Sequence, residues 1–227
     1  MTRAVVFDFY GTLARAIAWG PTMEEVLAEH GVAFDRAAHQ RWLDDVADGV
    51  DHADHSSDRD RYIAWERARL HRLATACGAG DPDAAVEALY RAVKTFTLAA
   101  YDEVPGVLAD LRSQGLLLAV CSNWDWDLDR AVERSGIAPV AFDVIVTSAQ
   151  AGARKPHPRI YAHILERCGG IAPGDVLFVG DTWGPDVAGP QAVGMRAVQV
   201  WRGDTGGDPP PEGTRWTADL RGLADFL

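Results

Sequence analysis

Long apolar runs, an even set of cysteines and an excess of positive charge are all missing from this sequence. Its 3 cysteines lack the spacing of metal ligands, which indicates reduced thiols rather than a disulfide framework or a zinc site. No run approaches the roughly 18 apolar residues of a membrane span, and no charged-then-apolar leader is visible, so we expect no membrane partner and a cytoplasmic location. The net charge of −11 argues against nucleic acid as a partner.

The overall composition is that of an ordinary globular protein. Of the 227 residues, 48% are hydrophobic and 24% are charged, which argues against a disordered chain. The length suffices for one large core, or for a core domain with a sizeable insertion. The acidic balance is compatible with a pocket of carboxylates that needs a divalent cation.

The N-terminal segment combines a short apolar run with an aspartate and a tight turn. Residues 4–7 are apolar without polar alternation, which predicts a strand buried on both faces of a parallel sheet. Asp8 follows at the carboxyl end of this strand, and Gly11 favours a turn directly after it. Ligands bind at this end of the strands in open α/β sheets, so Asp8 is a candidate functional residue. The alternative is that Asp8 only caps a turn.

Residues 15–100 have the composition of helices. They are rich in Ala, Glu, Asp, Arg and His and contain few β-branched runs. Four helices are predicted. The first starts near residue 21, and the next two span residues 36–46 and 58–76. The fourth starts at Pro82 after an Asp81 N-cap, and its apolar stripe runs to Phe96. We expect this segment to form a helical bundle.

From residue 104 onward, apolar strand segments alternate with helical ones. Strands are predicted at residues 116–121, 142–147, 176–180 and 197–201, and helices at residues 105–113, 126–135, 159–168, 187–193 and 220–227. With the first strand they predict an α/β fold, a doubly wound parallel five-stranded sheet of Rossmann-like type. We therefore expect an α/β core domain of residues 1–14 and 101–227, with a helical domain of residues 15–100 inserted after the first strand.

Polar and charged side chains follow several of the predicted strands. The set is Asp8, Ser122, Asn123, Lys155, Asp181 and Asp186. Because the carboxyl ends of parallel strands meet at one edge of a sheet, these side chains are expected to converge. Singly, Ser122 and Asp186 could be helix caps and Lys155 a solvated surface charge. Together they offer a carboxylate nucleophile, a hydroxyl donor, a fixed cation and carboxylates suited to Mg²⁺, which predicts phosphoryl or related group transfer through a covalent aspartyl intermediate.

Four motifs around these residues resemble those of the haloacid dehalogenase superfamily of hydrolases, in the same order. They are residues 8–13 (Asp-Phe-Tyr-Gly-Thr-Leu), 121–123 (Cys-Ser-Asn), 155–161 (Lys-Pro-His-Pro-Arg-Ile-Tyr) and 179–186 (Val-Gly-Asp-Thr-Trp-Gly-Pro-Asp). The resemblance implies that Asp8 is the nucleophile, that Ser122 hydrogen-bonds the transferred group and that Lys155 counters charge at the nucleophile. It also implies that the helical insertion is a mobile cap.

The same resemblance implies a magnesium site. Asp181 and Asp186 correspond to the metal side of the family's site. With Asp8 and the main-chain carbonyl of Tyr10 they offer oxygen ligands only, which selects a hard cation such as Mg²⁺ as the cofactor.

Tyr10 departs from the phosphatase form of the first motif, which has a second aspartate at this position. That aspartate protonates the leaving alkoxide and later activates water. The 2-haloacid dehalogenases of the family resemble this sequence instead, with Asp-x-Tyr-Gly-Thr, since halide leaves without a proton. The last motif, however, is similar to the phosphatase form. We favour a Mg²⁺-dependent phosphatase of a small phosphomonoester, in which Tyr10 is a proton donor but a poor base. A haloacid dehalogenase and a catalytically weak ligand-binding member are the alternatives.

The sequence offers few clues to the substrate. We expect a small, anionic molecule, with Thr12, Asn123 and Trp124 as binding residues, and a monomer or homodimer. Side chains close to the motifs in sequence either line a partly apolar pocket or pack in the interior; they are Arg15, Trp19, Trp124, Trp126 and Trp183. Residues 51–55 (Asp-His-Ala-Asp-His) are a possible metal site, but without an ordered scaffold we interpret them as a solvated loop.

Overall fold

The computed structural model describes residues 1–44, 58–203 and 209–227. The strands are β1 (Ala4–Phe7), β2 (Ala14–Trp19), β3 (Phe96–Ala100), β4 (Leu117–Ser122), β5 (Val144–Thr147), β6 (Val176–Gly180), β7 (Arg196–Val200) and β8 (Trp216–Thr217). The α-helices are α1 (Met23–Glu29), α2 (Arg36–Asp44), α3 (Arg59–Ala76), α4 (Pro82–Ala92), α5 (Val104–Ser113), α6 (Leu128–Arg134), α7 (Ser148–Ala151), α8 (Pro158–Arg167) and α9 (Gly189–Ala192).

Six of the strands form one parallel sheet in the order β5-β4-β1-β6-β7-β8. The α/β fold is therefore confirmed, but the predicted five strands are one too few. The additional strand, β8, contains only Trp216 and Thr217 and pairs with the end of β7. Two residues are too short to produce a periodic pattern, so only pairing with a neighbour identifies this strand.

A second sheet corrects the prediction that residues 15–100 form a purely helical bundle. β2 and β3 pair antiparallel, from Ala14 opposite Ala100 to Trp19 opposite Phe96. Phe96 therefore lies in a strand and does not extend the apolar stripe of α4. Alanine occupies three of the six positions of β2, and alanine favours helices, so the composition was misleading. The pairing of two segments distant in sequence decides the conformation here.

The helices of residues 23–92 begin where side chains cap them. Thr22 and Glu25 form a capping box at α1, and the side chains of Asp58 and Asp81 accept hydrogen bonds from the first turns of α3 and α4. The predicted end of the second helix at residue 46 lies outside the described residues. These helices share an apolar cluster that includes Leu27, Leu70 and Leu89.

Two later helices differ from their predictions. The predicted helix at residues 187–193 begins earlier, as a π-helix at Trp183–Ala188, and continues as α9. The predicted terminal helix is a 3₁₀-helix, Leu220–Phe226. Two further 3₁₀ turns, Pro139–Ala141 and Pro173–Asp175, precede β5 and β6. No helix in the described ranges is both long and apolar enough to cross a lipid bilayer.

The central position of β1 determines where the polar side chains meet. Val6 pairs with Ala119 of β4 on one side and with Phe178 of β6 on the other, and every residue of β1 is at most 1% exposed. Alternate residues of β1 enter apolar clusters on opposite faces of the sheet, as predicted for a buried parallel strand. The carboxyl ends of β1, β4 and β6 consequently lie side by side at one edge.

We predict that the packing around β4 contributes measurably to stability. Val120 is fully buried, and its replacement in Val120→Ala should lower the free energy of unfolding by about 2 kcal/mol, through lost apolar burial and the cavity that remains. Val140 is 86% exposed, so Val140→Ala should change the free energy of unfolding by less than about 0.5 kcal/mol. Urea unfolding of both variants checks this, and equal losses would contradict the buried position of β4.

Candidate active site

Asp8 lies at the carboxyl edge of the sheet, directly after β1. Its backbone N–H donates to the carbonyl of Val179 (2.8 Å), which continues the pairing with β6, and the residue is only 6% exposed. Oδ1 of its carboxylate accepts hydrogen bonds from Ser122 Oγ (2.9 Å) and Lys155 Nζ (2.7 Å). Oδ2 accepts none from any residue in the described parts of the chain. One oxygen of Asp8 is thus held in place while the other remains available.

Lys155 is buried between two carboxylates. Its Nζ also donates to Asp186 Oδ1 (2.6 Å), and the side chain is 2% exposed, so it is not a solvated surface charge. Although burial opposes ionisation, the negative charges of Asp186 and Asp8 raise the pKa of the Lys155 ammonium above its ordinary value. Lys155 therefore stays protonated beside Asp8.

Asn123 holds the loop that carries Lys155. Its Nδ2 donates to the main-chain carbonyl of Lys155 (3.0 Å), and its Oδ1 accepts from the Lys155 N–H (2.7 Å). Both ends of this amide are occupied by the backbone, so the structure places Asn123 as a link between two loops. Asn123 also lines the cavity, and substrate binding by this residue stays a prediction.

Asp181 and Asp186 complete a cluster of three acids with Asp8. One carboxylate oxygen from each lies within 4.8 Å of the others. Two glycines make room for this approach, since a Cβ on Gly11 would lie 2.3 Å from Asp181 Oδ2, and a Cβ on Gly180 would lie 2.3 Å from Asp186 Cγ. Gly11 also has a φ of +85°, which side chains other than hydrogen disfavour.

Asp181 and Asp186 ionise less readily than exposed acids. Burial, followed by the charges of Asp8 and Asp186, raises the pKa of Asp181 to about 7. Burial likewise raises the pKa of Asp186 to about 6, although the Lys155 ammonium opposes the effect. Among the described residues, the Lys155 ammonium bonds Asp8 and Asp186 but not Asp181, so a further cation would favour the ionised forms of Asp181 and Asp186. Their donors are all oxygen, which fits a hard divalent cation such as Mg²⁺.

The cluster opens into a cavity of about 290 Å³. It is lined by Asp8, Tyr10, Ser122, Asn123, Trp124, Lys155, Asp181, Thr182, Pro185 and Asp186. Eight of the nine residues predicted from the sequence as catalytic, metal-binding or substrate-binding therefore line one cavity. Thr12 is the ninth; it is fully buried and is not part of this lining.

The aromatic side chains near the motifs have different environments. Trp124 lines the cavity and packs edge-to-face on Phe9 (5.5 Å between ring centroids) and Phe96 (5.8 Å). Trp19 is 70% exposed, and its ring centroid lies 6.3 Å from that of Tyr10. The segment 51–55, considered as a possible metal site, lies outside the described residues.

Two groups near the site, Thr182 and Arg154, are not among the site residues predicted from the sequence. The N–H of Thr182 donates to Asp186 Oδ2 (3.0 Å), a main-chain contact that no side-chain motif reports. Arg154 lines a second cavity beside the first. Its only signal in the sequence was its position directly before Lys155.

Comparison with known proteins agrees with this geometry. A family model described as haloacid dehalogenase-like hydrolase matches residues 2–194. A phosphoserine phosphatase of Thermus thermophilus is 35% identical over 166 residues, which are 70% of this chain and 65% of that protein. Haloacetate dehalogenase H-2 of a Moraxella species is 28% identical over 202 residues, 88% of this chain and 85% of that one. The chain spans slightly less than two thirds of the phosphatase's length.

Solved structures share the fold across the chain. A HAD phosphatase from Thermococcus onnurineus superposes with a TM-score of 0.65 at 21% identity, covering 100% of this chain and 98% of that one. The L-2-haloacid dehalogenase of Xanthobacter autotrophicus superposes with a TM-score of 0.60 at 23% identity, with the same coverage. Because the family model covers most of the residues, and the motif residues Asp8, Ser122, Lys155 and Asp181 meet at one cavity, the chain belongs to the haloacid dehalogenase-like hydrolases.

Proposed function

We propose that this hydrolase is a Mg²⁺-dependent phosphatase that acts on a small phosphomonoester through a covalent intermediate on Asp8. The observation that carries the proposal is the arrangement of the Asp8 carboxylate. Ser122 and Lys155 hold Oδ1, whereas Oδ2 accepts no hydrogen bond from the described residues, and Asp8 lines the cavity. A carboxylate oriented in this way is suited to nucleophilic attack.

The reaction proceeds in two displacements. Oδ2 of Asp8 attacks phosphorus, and the bond between phosphorus and the ester oxygen breaks, so that the phosphoryl group is transferred to Asp8 and the alkoxide leaves. Water then attacks the phosphoryl group and releases inorganic phosphate and the free Asp8 carboxylate. Lys155 and Ser122 lie close enough to Asp8 to stabilise negative charge on the transferred group throughout.

The acidic cluster supports the magnesium requirement. Asp8, Asp181, Asp186 and the main-chain carbonyl of Tyr10 would hold the ion, which when bound supplies positive charge to the phosphoryl oxygens. A metal-free reaction would leave Asp181 and Asp186 beside Asp8 with Lys155 as the sole compensating cation among the described side chains that line the cavity.

Tyr10 is the proposed proton donor to the leaving alkoxide. It lines the cavity and is 38% exposed, so its hydroxyl is accessible to a bound substrate. A phenol donates a proton but is a weak base at neutral pH, so the hydrolysis of the intermediate is expected to be slow.

We further propose that residues 15–100 act as a cap over a core of residues 1–14 and 101–227. Side chains from the first segment, Tyr62, Val93, Lys94 and Phe96, form one wall of the cavity that adjoins the active site. The core supplies the opposite wall, including Trp124 and Arg154. A substrate would therefore contact both parts of the chain.

Haloacid dehalogenase activity is the second candidate. Two observations favour it: Tyr10 replaces the aspartate that phosphatases of this family use as acid and base, and the match to haloacetate dehalogenase H-2 spans 88% of the chain. In that reaction Oδ2 of Asp8 attacks the carbon that bears the halogen, halide leaves, and water hydrolyses the resulting ester.

The nucleophile is tested by Asp8→Asn. The amide is nearly isosteric but is not nucleophilic, so turnover should fall by about 10⁴-fold or more on either class of substrate while the thermal unfolding curve stays cooperative. Asp110 is exposed on α5 and serves as the matched control, because Asp110→Asn should leave turnover unchanged. Substantial activity in Asp8→Asn would exclude Asp8 as the attacking group.

The metal is tested by calorimetric titration with Mg²⁺. Asp181→Asn removes one negative ligand from the cluster and should weaken Mg²⁺ binding by roughly 10–100-fold, with Asp110→Asn again unchanged. If the unsubstituted protein bound no Mg²⁺, with or without a phosphate analogue, the dehalogenase candidate would take precedence.

Tyr10→Asp separates the two candidate reactions. In a phosphatase it supplies the missing acid and base and should raise kcat on phosphomonoesters by about 10²–10⁴-fold in the presence of Mg²⁺. In a dehalogenase it adds a like charge beside Asp8 and should be neutral or harmful. Tyr10→Phe is the control for loss of the hydroxyl alone. Assays on phosphomonoesters and 2-haloacids at matched pH distinguish the two reactions. A fall in kcat of Tyr10→Asp on both substrate classes would show that Tyr10 has a role of its own.

A further inference from the structure

A second cavity of about 380 Å³ adjoins the active-site cavity. Its lining consists of Tyr62, Val93, Lys94, Phe96, Asn123, Trp124, Asp125, Asp127, Arg134 and Arg154. Asn123 and Trp124 line both cavities, so the two share a wall. A substrate that reached from Asp8 past Trp124 would enter this second space.

Arg154 contributes a partly buried positive charge to the second cavity. It directly precedes Lys155, yet the two side chains diverge, since Lys155 binds Asp8 and Asp186 while Arg154 lines the neighbouring space. No carboxylate within residues 1–44, 58–203 and 209–227 forms an ion pair with Arg154. Burial lowers the pKa of its guanidinium, in agreement with a charge that lacks a counter-ion.

Two of the neighbouring charged groups, Lys94 and Glu66, have partners other than Arg154. Lys94 forms an ion pair with Asp125. Glu66 is the acid whose negative charge acts on Arg154, but its carboxylate accepts from Arg69 Nη1 at 3.0 Å. A partly buried charge such as that of Arg154, which has no ion-pair partner among the described residues, is unfavourable unless a ligand supplies one.

The balance of charges selects the kind of ligand. The cavity is lined by three cationic side chains, Lys94, Arg134 and Arg154, and by two carboxyl groups, Asp125 and Asp127. One cation remains in excess, which matches a group with a single negative charge. A second phosphate, with a charge of about −1.5 to −2, would be repelled by the two carboxyl groups. A carboxylate also fits the planar guanidinium with two parallel hydrogen bonds.

We propose that Arg154 binds a carboxylate of the substrate, and that the substrate is a small phosphomonoester carrying this carboxylate at the end remote from the reacting phosphate. The proposal rests on the phosphatase function proposed above and adds the substrate class. Arg154 is then a specificity-determining residue, because esters without the carboxylate leave its charge unpaired.

The test compares two esters of nearly equal size, 2-phosphoglycolate and ethyl phosphate, which differ in the carboxylate. The unsubstituted protein should hydrolyse 2-phosphoglycolate with a kcat/KM at least about tenfold higher. Arg154→Gln should lower kcat/KM for 2-phosphoglycolate by roughly 10–100-fold, mainly through KM, and leave ethyl phosphate nearly unchanged. Arg130 is exposed on α6 and does not line the cavity, so Arg130→Gln controls for the loss of one positive charge.

Two kinetic outcomes would overturn the proposal. One is an equal kcat/KM for both esters in the unsubstituted protein, which leaves the phosphatase function intact but removes the carboxylate preference. The other is an equal loss on both esters in Arg154→Gln, which would indicate a structural role for the arginine.

Calorimetric titration keeps the proposal testable if neither ester is hydrolysed, a result that would instead count against the phosphatase function. Tighter binding of 2-phosphoglycolate than of ethyl phosphate, lost in Arg154→Gln, would then support the carboxylate site. Equal binding of the two esters would overturn it. Thermal unfolding of Arg154→Gln shows whether the variant is folded.

Discussion

The active site depends on a buried ammonium group that two carboxylates share. Lys155 donates to Asp8 at 2.7 Å and to Asp186 at 2.6 Å, with 2% of its side chain exposed. Removing one member of a buried ion pair costs about 3–5 kcal/mol, because the other charge is left without compensation. The loops that carry these residues are therefore coupled energetically, and the position of Asp8 is inseparable from that of Lys155.

Neutral contacts maintain this arrangement of charges. The Asn123 amide connects the loop after β4 to the backbone of Lys155. Gly11 and Gly180 let the Asp181 and Asp186 side chains approach the main chain more closely than a Cβ would permit. These residues take no part in the proposed chemistry, but each substitution that adds bulk there would displace a carboxylate of the cluster.

Phosphatases and dehalogenases share the fold of this chain. Relatives and solved structures of both kinds resemble this chain, so the fold alone does not choose between the two reactions. The choice rests on local features, the phenol of Tyr10 beside Asp8 and the acids Asp181 and Asp186 that would hold a cation. The second cavity adds a further local feature, because Arg154 lines it and forms no ion pair with a carboxylate of the described residues.

The sequence by itself determined the buried strands and the convergence of the polar residues that follow them. Continuous apolar runs such as residues 4–7 specify burial on both faces, and parallel pairing then brings Asp8, Ser122 and Asp181 to one edge. Local pattern did not reveal the β2–β3 pair or β8, because these strands are stabilised by partners distant in sequence. Nor did it reveal what each site residue touches. The packing of the loops decides these contacts, and packing is a property of the folded chain. It places Asn123 against the backbone of Lys155, Thr12 outside the cavity lining and Arg154 in a second cavity.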